Sequence, residues 1–159
     1  MHRGTLRLSF AAPLLVASAI ALAGCSVARP SVRATAATIG TRGTGTSQVD
    51  VTIALENTGT TEVELVTYDY IIKLADGSSY GGRWAALRAL PPGQTVEAKI
   101  PAVLPVASAV EGVRWDFTGT VSYRDPQSFA RILYEAGLLK TEAQIEGSGS
   151  LVSARKPGN

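Results

Sequence analysis

The stretch from Val113 to Tyr123 constrains the fold most. Val113, Trp115, Phe117, Gly119, Val121 and Tyr123 alternate without a slip against Arg114, Asp116, Thr118, Thr120 and Ser122. Apolar residues of a helix recur every three or four positions, so a sustained period of two demands a sheet with one buried face. Such a strand needs partners. Gln48 to Glu56 keeps Val49, Val51, Ile53 and Leu55 in one phase, and Asn57-Thr58-Gly59-Thr60 follows with residues that suit a turn. Val63 and Leu65 then hold one phase while Val66, Tyr68, Tyr70, Ile72 and Leu74 hold the other, which predicts a bulge or corner near Leu65. Asp76-Gly77 reads as a hairpin turn into Ser78 to Trp84, with Tyr80, Gly82 and Trp84 on one face. Gln94 to Ile100 alternates through Val96, Ala98 and Ile100, and Ala143 to Val152 through Ile145, Gly147, Gly149 and Leu151.

Three segments lack that clarity. Ala85 to Gly93 reads as a loop ended by Pro91-Pro92-Gly93, and Pro101 and Pro105 keep their segment extended and off any central ladder. Ser26 to Ser47 has the Ser, Thr, Ala and Gly content of a flexible tether, yet Val32, Ala34 and Ala36 alternate with Arg33 and Thr35, as a first strand over 31–39 would. Asp125 as N-cap, Pro126 at the first helical position and Gly137 beyond the last predict one helix between Pro126 and Leu139. Its Phe129, Ile132, Leu133 and Ala136 share a face expected to cover an open end of the sheets; Ile132, Leu133, Leu138 and Leu139 facing a partner or lipid is the alternative. Six or seven strands at this spacing, with one short helix, predict an all-β fold: a two-sheet antiparallel sandwich of immunoglobulin or fibronectin type over residues 31–152, with 153–159 as a tail.

At the N-terminus, Arg3 and Arg7 precede an uncharged apolar run from Leu8 to Ala23, shorter than a comfortable membrane span and built like a secretory signal. The run ends in Leu22-Ala23-Gly24-Cys25, which resembles the lipobox of bacterial lipoproteins. That resemblance implies a signal peptide over 1–24, cleavage between Gly24 and Cys25, and acylation of the Cys25 thiol and new amino group with chains such as palmitate. Ser26 after the cysteine, where Asp would retain the protein at the inner membrane, implies the outer membrane facing the periplasm. Residues 25–30, or as far as 47 if no first strand forms, are then the tether.

Cleavage would also change the chemistry on offer. The chain carries 15 basic and 13 acidic side chains, and losing Arg3 and Arg7 would bring the two into balance, which disfavours nucleic acid as a partner. The one histidine is His2 and the one cysteine is Cys25, so a mature acylated chain would hold neither a catalytic triad nor a His/Cys zinc site. Asp50, Glu56, Glu62, Glu64 and Asp116 fall singly on outward strand positions or in turns, as solvated charges do. Gly40-Thr41-Arg42-Gly43-Thr44-Gly45 precedes a strand and lacks the Lys-Ser/Thr of a phosphate loop. No catalytic residue, metal or cofactor is expected. Arg29, Arg33 and Arg42, in a stretch without acids, are expected to meet anionic headgroups or to be merely solvated. Most aromatics fall on apolar strand faces; Trp84, beside Arg83 and the Pro-rich loop, is the candidate contact surface.

The order of these pieces resembles the WHy (water stress and hypersensitive response) domain, the late embryogenesis abundant group 2 (LEA-2) fold, from about Pro30 to Val152. The resemblance lies in Leu55-Glu56-Asn57, in Tyr70-x-Ile72-x-Leu74-x-Asp76-Gly77, in Leu90-Pro91-x-Gly93 before Val96-x-Ala98-x-Ile100, and in Trp115-x-Phe117-x-Gly119-x-Val121. Thr58 stands where the family has Pro after Asn. The resemblance implies a seven-stranded sandwich without catalytic residues. It also implies a part in water-stress and desiccation tolerance, through binding lipid or a small hydrophobic ligand or through protecting client proteins. The expectation is a non-enzymatic, membrane-anchored envelope lipoprotein; the alternative is an accessory adaptor subunit of an envelope complex, docking through a sheet edge or through 101–109.

Overall fold

A computed structural model describes residues 29–126 and 128–154; the expected cleavage and acylation positions Gly24 and Cys25 and the expected sorting residue Ser26 lie outside the described residues. Eight strands and one helix follow in the order β1 (Ser31–Arg42), β2 (Thr46–Glu56), β3 (Val63–Leu74), β4 (Ser79–Leu90), β5 (Thr95–Pro105), β6 (Arg114–Arg124), α1 (Ser128–Glu135), β7 (Glu142–Ser150) and β8 (Val152–Ser153).

The choice between tether and strand at the N-terminus resolves to a strand. β1 pairs antiparallel with β2 from Ser31 opposite Glu56 to Arg42 opposite Ser47, with irregularities after Ala34 and Ile39. The first of these breaks the expected Val32, Ala34, Ala36 phase, so that Ala34, Ala37 and Ile39 are the buried residues. In β3 the slip falls where the sequence puts it. Register shifts between Leu65 and Thr67 against both β4 and β6, so Val63 and Leu65 are buried on one side of it and Tyr68, Ile72 and Leu74 on the other.

One segment differs from its reading. The segment read as a loop from Ala85 is strand to Leu90, paired with β3 through Ala85 opposite Thr67, Arg88 opposite Leu65 and Leu90 opposite Val63. It escapes periodicity because β4 is an edge strand whose 85–89 stretch is mostly exposed and contributes only Leu90 to the core. Pro101 lies inside β5 opposite Asp50, and because β5 is the other edge the segment is extended and off any central ladder, as expected.

The predicted two-sheet sandwich is replaced by one sheet. Its order is β4-β3-β6-β7-β1-β2-β5, with β8 attached to β1. The join between the halves is parallel, through Arg33 of β1 opposite Glu146 of β7 and Thr38 opposite Val152 of β8. The sheet curls into a nearly closed barrel around Ile53, Leu55, Ile72, Ile100, Trp115, Phe117 and Ile145, all buried. Side chains bridge the facing edges: Arg88 Nη1 donates to the Glu97 carbonyl at 2.9 Å, and the Tyr70 hydroxyl reaches across to the Pro101 carbonyl at 2.7 Å.

Strand directions sort the connections into two ends. The N-terminus of β1, the 57–62 turn, the 91–94 turn and α1 share one end, since Ser31 pairs with Glu56, Thr95 with Glu56, and Ser122 with Glu142. The hairpins at 43–45 and 75–78, the 106–113 loop and β8 share the other. Asn57 fastens the first end. Fully buried, it donates from Nδ2 to the Thr61 and Leu90 carbonyls at 2.8 and 2.9 Å and accepts from the Gly59 N–H at 2.9 Å. α1 stops in a complete C-terminal cap: Gly137, at φ 70°, donates to the Tyr134 carbonyl and Leu138 to the Leu133 carbonyl.

Candidate binding seam

The two sheet edges do not pair along their length, and the gap between β4 and β5 is an open cleft of about 470 Å³. Tyr68, Ala86 and Ala98 line it with Trp84, Arg88 and Lys99. Strand alternation explains who is there. Trp84 pairs with Tyr68 and therefore shares its inward face, but on an edge strand that face meets no further strand, so the indole stays 48% exposed while Tyr68 is buried. Arg83 takes the opposite face, where its Nε donates to Asp69 Oδ1 at 2.6 Å in an exposed ion pair that raises the Arg83 pKa. Trp84 and Arg83, read from sequence as one contact surface, thus point to different sides. The seam itself was invisible in the sequence, because the Asp76-Gly77 hairpin sets Trp84 beside Tyr68 but alternation does not place the strand of Lys99 next to them.

Burial pushes the Tyr68 phenol up to about 12, with the positive charge of Arg88 working against the rise, and burial raises Tyr70 as well. A phenol whose folded pKa exceeds its unfolded value favours folding while neutral. That contribution is complete below the ordinary pKa of 10 and disappears as pH rises through about 12. Urea unfolding followed across that alkaline window is expected to show falling stability in the wild type and a shallower fall in Tyr68→Phe.

Beside the cleft, Leu87 adopts φ 42° and is 83% exposed, the one non-glycine residue with positive φ among the described residues. With Ala86 it forms the β4 side of the irregularity opposite Val66. A left-handed leucine costs about 1 kcal/mol, and here no burial compensates. Leu87→Asn, which tolerates that conformation, is expected to stabilise the fold by roughly 0.5 kcal/mol in urea titration.

The cleft brings together an indole, three alanines, a guanidinium and an ammonium, with one carboxylate, Glu97, so that its lining carries a net charge of about +1. Such a surface suits the apolar part of a ligand or polypeptide that carries negative charge. Among the described residues, no group of three or more His, Cys, Asp or Glu converges on a metal position. Nor is any helix among them long and apolar enough to cross a membrane.

No protein-family model matches the chain, and no curated protein matches it in sequence. Solved structures do match in fold. The solution structure of AT1g01470 from Arabidopsis thaliana is 10% identical with a TM-score of 0.52, over 83% of this chain and 87% of that one. A solution structure described as a late embryogenesis abundant protein, At2g46140.1, is 13% identical with a TM-score of 0.49, over 89% and 80%. The structural-genomics target SoR45 is 16% identical with a TM-score of 0.49, over 82% and 87%. At such identities the likeness concerns fold alone, and AT1g01470 carries it: this chain has a similar all-β fold.

Proposed function

We propose that this chain is a lipid-anchored, non-enzymatic lipoprotein of the bacterial envelope, whose LEA-2-like barrel protects or binds other molecules under water stress through the β4–β5 seam. The observation that carries the anchored reading is the spacing between lipobox and fold. Pro30 is already buried, so only Ser26-Val27-Ala28-Arg29 separates Cys25 from the domain. A tether that short spans under about 20 Å and keeps the barrel at the bilayer surface. The WHy-like order of motifs supports the stress role, and the exposed indole over a cleft supports a binding role.

The stress reading is tested by drying a labile enzyme with the full-length protein in lipid vesicles. The proposal expects activity to survive rehydration, and less of it to survive with Trp84→Ala. Equal loss with and without the protein overturns the stress role. The adaptor reading is favoured by a different observation: a strained, exposed Leu87 beside an exposed Trp84 on an unpaired edge. A stoichiometric partner in native detergent pull-downs, lost on Trp84→Ala, would select it.

A further inference from the structure

The helix expected to cover an end of the fold leaves much of its apolar surface in solvent. Phe129 is 67% exposed, Ile132 61% and Leu138, just beyond the cap, 78%, whereas Leu133 and Leu139 are half-buried. The polar side of α1 is occupied by its own ion pairs, Arg131 Nε to Glu135 at 2.9 Å and Arg124 to Glu135 at 3.3 Å. The second of these joins the helix to the end of β6, where Arg124 also pairs with Glu64 at 2.7 Å. The apolar residues are therefore displayed on an element tied to β6 by an ion pair.

What covers them is indicated by where the chain enters the barrel. α1 lies between β6 and β7, and β7 is the immediate neighbour of β1 in the sheet, through Arg33 opposite Glu146. The buried Pro30 at the head of β1 is five residues from Cys25. The end that carries Phe129, Ile132 and Leu138 is thus the end from which the anchor would leave.

We infer that this end is a membrane-contact face: Phe129, Ile132 and Leu138 insert into the interfacial region of the bilayer that holds the Cys25 acyl chains, and the barrel stands end-on. The inference rests on the lipid-anchor reading of Cys25. An eight-residue helix binds a bilayer poorly by itself, but a short tether makes its insertion intramolecular. The contact is apolar and does not depend on anionic lipid, because the same end mixes Arg29, Arg33 and Lys140 with Glu56, Glu62 and Glu142, all exposed. Arg42, grouped with Arg29 and Arg33 in the sequence, sits at the opposite end and donates to the Ala109 carbonyl at 3.4 Å. The three arginines form no common headgroup site.

The test uses the full-length acylated protein in zwitterionic phosphatidylcholine–phosphatidylethanolamine vesicles. A nitroxide is placed through Ile132→Cys or, at the far end, through Val110→Cys, which is also an exposed apolar position. The proposal expects the label at 132 to collide with an aqueous nickel chelate roughly threefold less often than the label at 110, while remaining open to membrane-dissolved oxygen. Adding Phe129→Asp and Leu138→Asp, both at exposed positions and so harmless to the fold, is expected to restore nickel access. Equal nickel access at 132 and 110 overturns the inference. So does shielding from both relaxants, which would mean contact with protein, either a second copy or retained residues 1–24. Intact mass on the same sample separates the two levels: an unmodified Cys25 overturns the anchor reading and this inference together, whereas an acylated Cys25 with an exposed label overturns this inference alone.

Discussion

Asn57→Ala is expected to cost about 3–4 kcal/mol, a large share of the roughly 5–15 kcal/mol that holds a domain of this size. The side chain is fully buried and ties together three segments that the sheet does not join directly at this end. Its Nδ2 serves the Thr61 carbonyl in the 57–62 turn and the Leu90 carbonyl at the close of β4, while Oδ1 takes the Gly59 N–H. Its backbone pairs with the next turn as well, N–H to the Gln94 carbonyl and carbonyl from the Gly93 N–H. Truncation removes the partners of one buried or part-buried donor and two acceptors, each costing about 1–3 kcal/mol if left unsatisfied. The urea midpoint should fall with an unchanged slope. Asn57→Asp is the sharper variant, because an ionised carboxylate would face the Thr61 and Leu90 carbonyls. Its native pKa is therefore expected to lie above the unfolded one, so the variant should be more stable in acid than at neutral pH. A midpoint within experimental error of wild type for Asn57→Ala would remove this residue from its place in the fold.

The second large effect is at Gly147. A Cβ built there would come within 2.2 Å of the Ala34 carbonyl oxygen and 2.7 Å of the Ala34 Cβ, closer than any relaxed contact. That approach is the seam between β7 and β1, where the half containing β4, β3, β6 and β7 joins the half containing β1, β2 and β5. The obstacle is backbone, so no side-chain rotation relieves it. Gly147→Ala is expected to destabilise by roughly 2–4 kcal/mol, and Gly147→Val to prevent folding, with loss of near-ultraviolet circular dichroism. Gly43→Ala is the control. Its Cβ would find nothing closer than 3.6 Å, so its effect should stay within about 0.5 kcal/mol. A Gly147→Ala protein as stable as Gly43→Ala would contradict the parallel join.

These two sites also show which parts of the fold were legible in the sequence. β6 and β2 were, because each buries one complete phase of large side chains. β1 was faint because its inward residues are mostly small, Ala34, Ala37 and Ile39, and a register shift splits them. The second half of β4 was hidden because an edge strand has little to bury. One sheet rather than two could not be read at all: alternation records which side chains face inward, not which strand lies alongside. The parallel join is marked only by a glycine, and the strand it approaches lies more than a hundred residues earlier in the chain. The helix stop at Gly137 was legible; the start was not, since the helix begins at Ser128 and not at Pro126 after an Asp125 cap, and the apolar period could not say which part of that face would remain outside. Trp84 stands out by its neighbours in sequence, and the β3–β4 hairpin sets it beside Tyr68, but Lys99 of β5 is brought near only by the closed sheet.

Lys99, Arg88 and Trp84 carry the proposed contact at the seam, and Phe129, Ile132 and Leu138 the proposed contact with the bilayer. Both proposals depend on the proposed anchor. Under the proposed anchor at Cys25, the β4–β5 cleft would run along the side of an upright barrel and stay open to the periplasm. The most direct measurement is the intact mass and terminal peptide of the protein purified from membranes of a bacterial host. The account predicts a chain that starts at Cys25 and carries a diacylglyceryl thioether and an N-acyl group. A free thiol at Cys25, or a chain that still includes Met1 to Gly24, would contradict it.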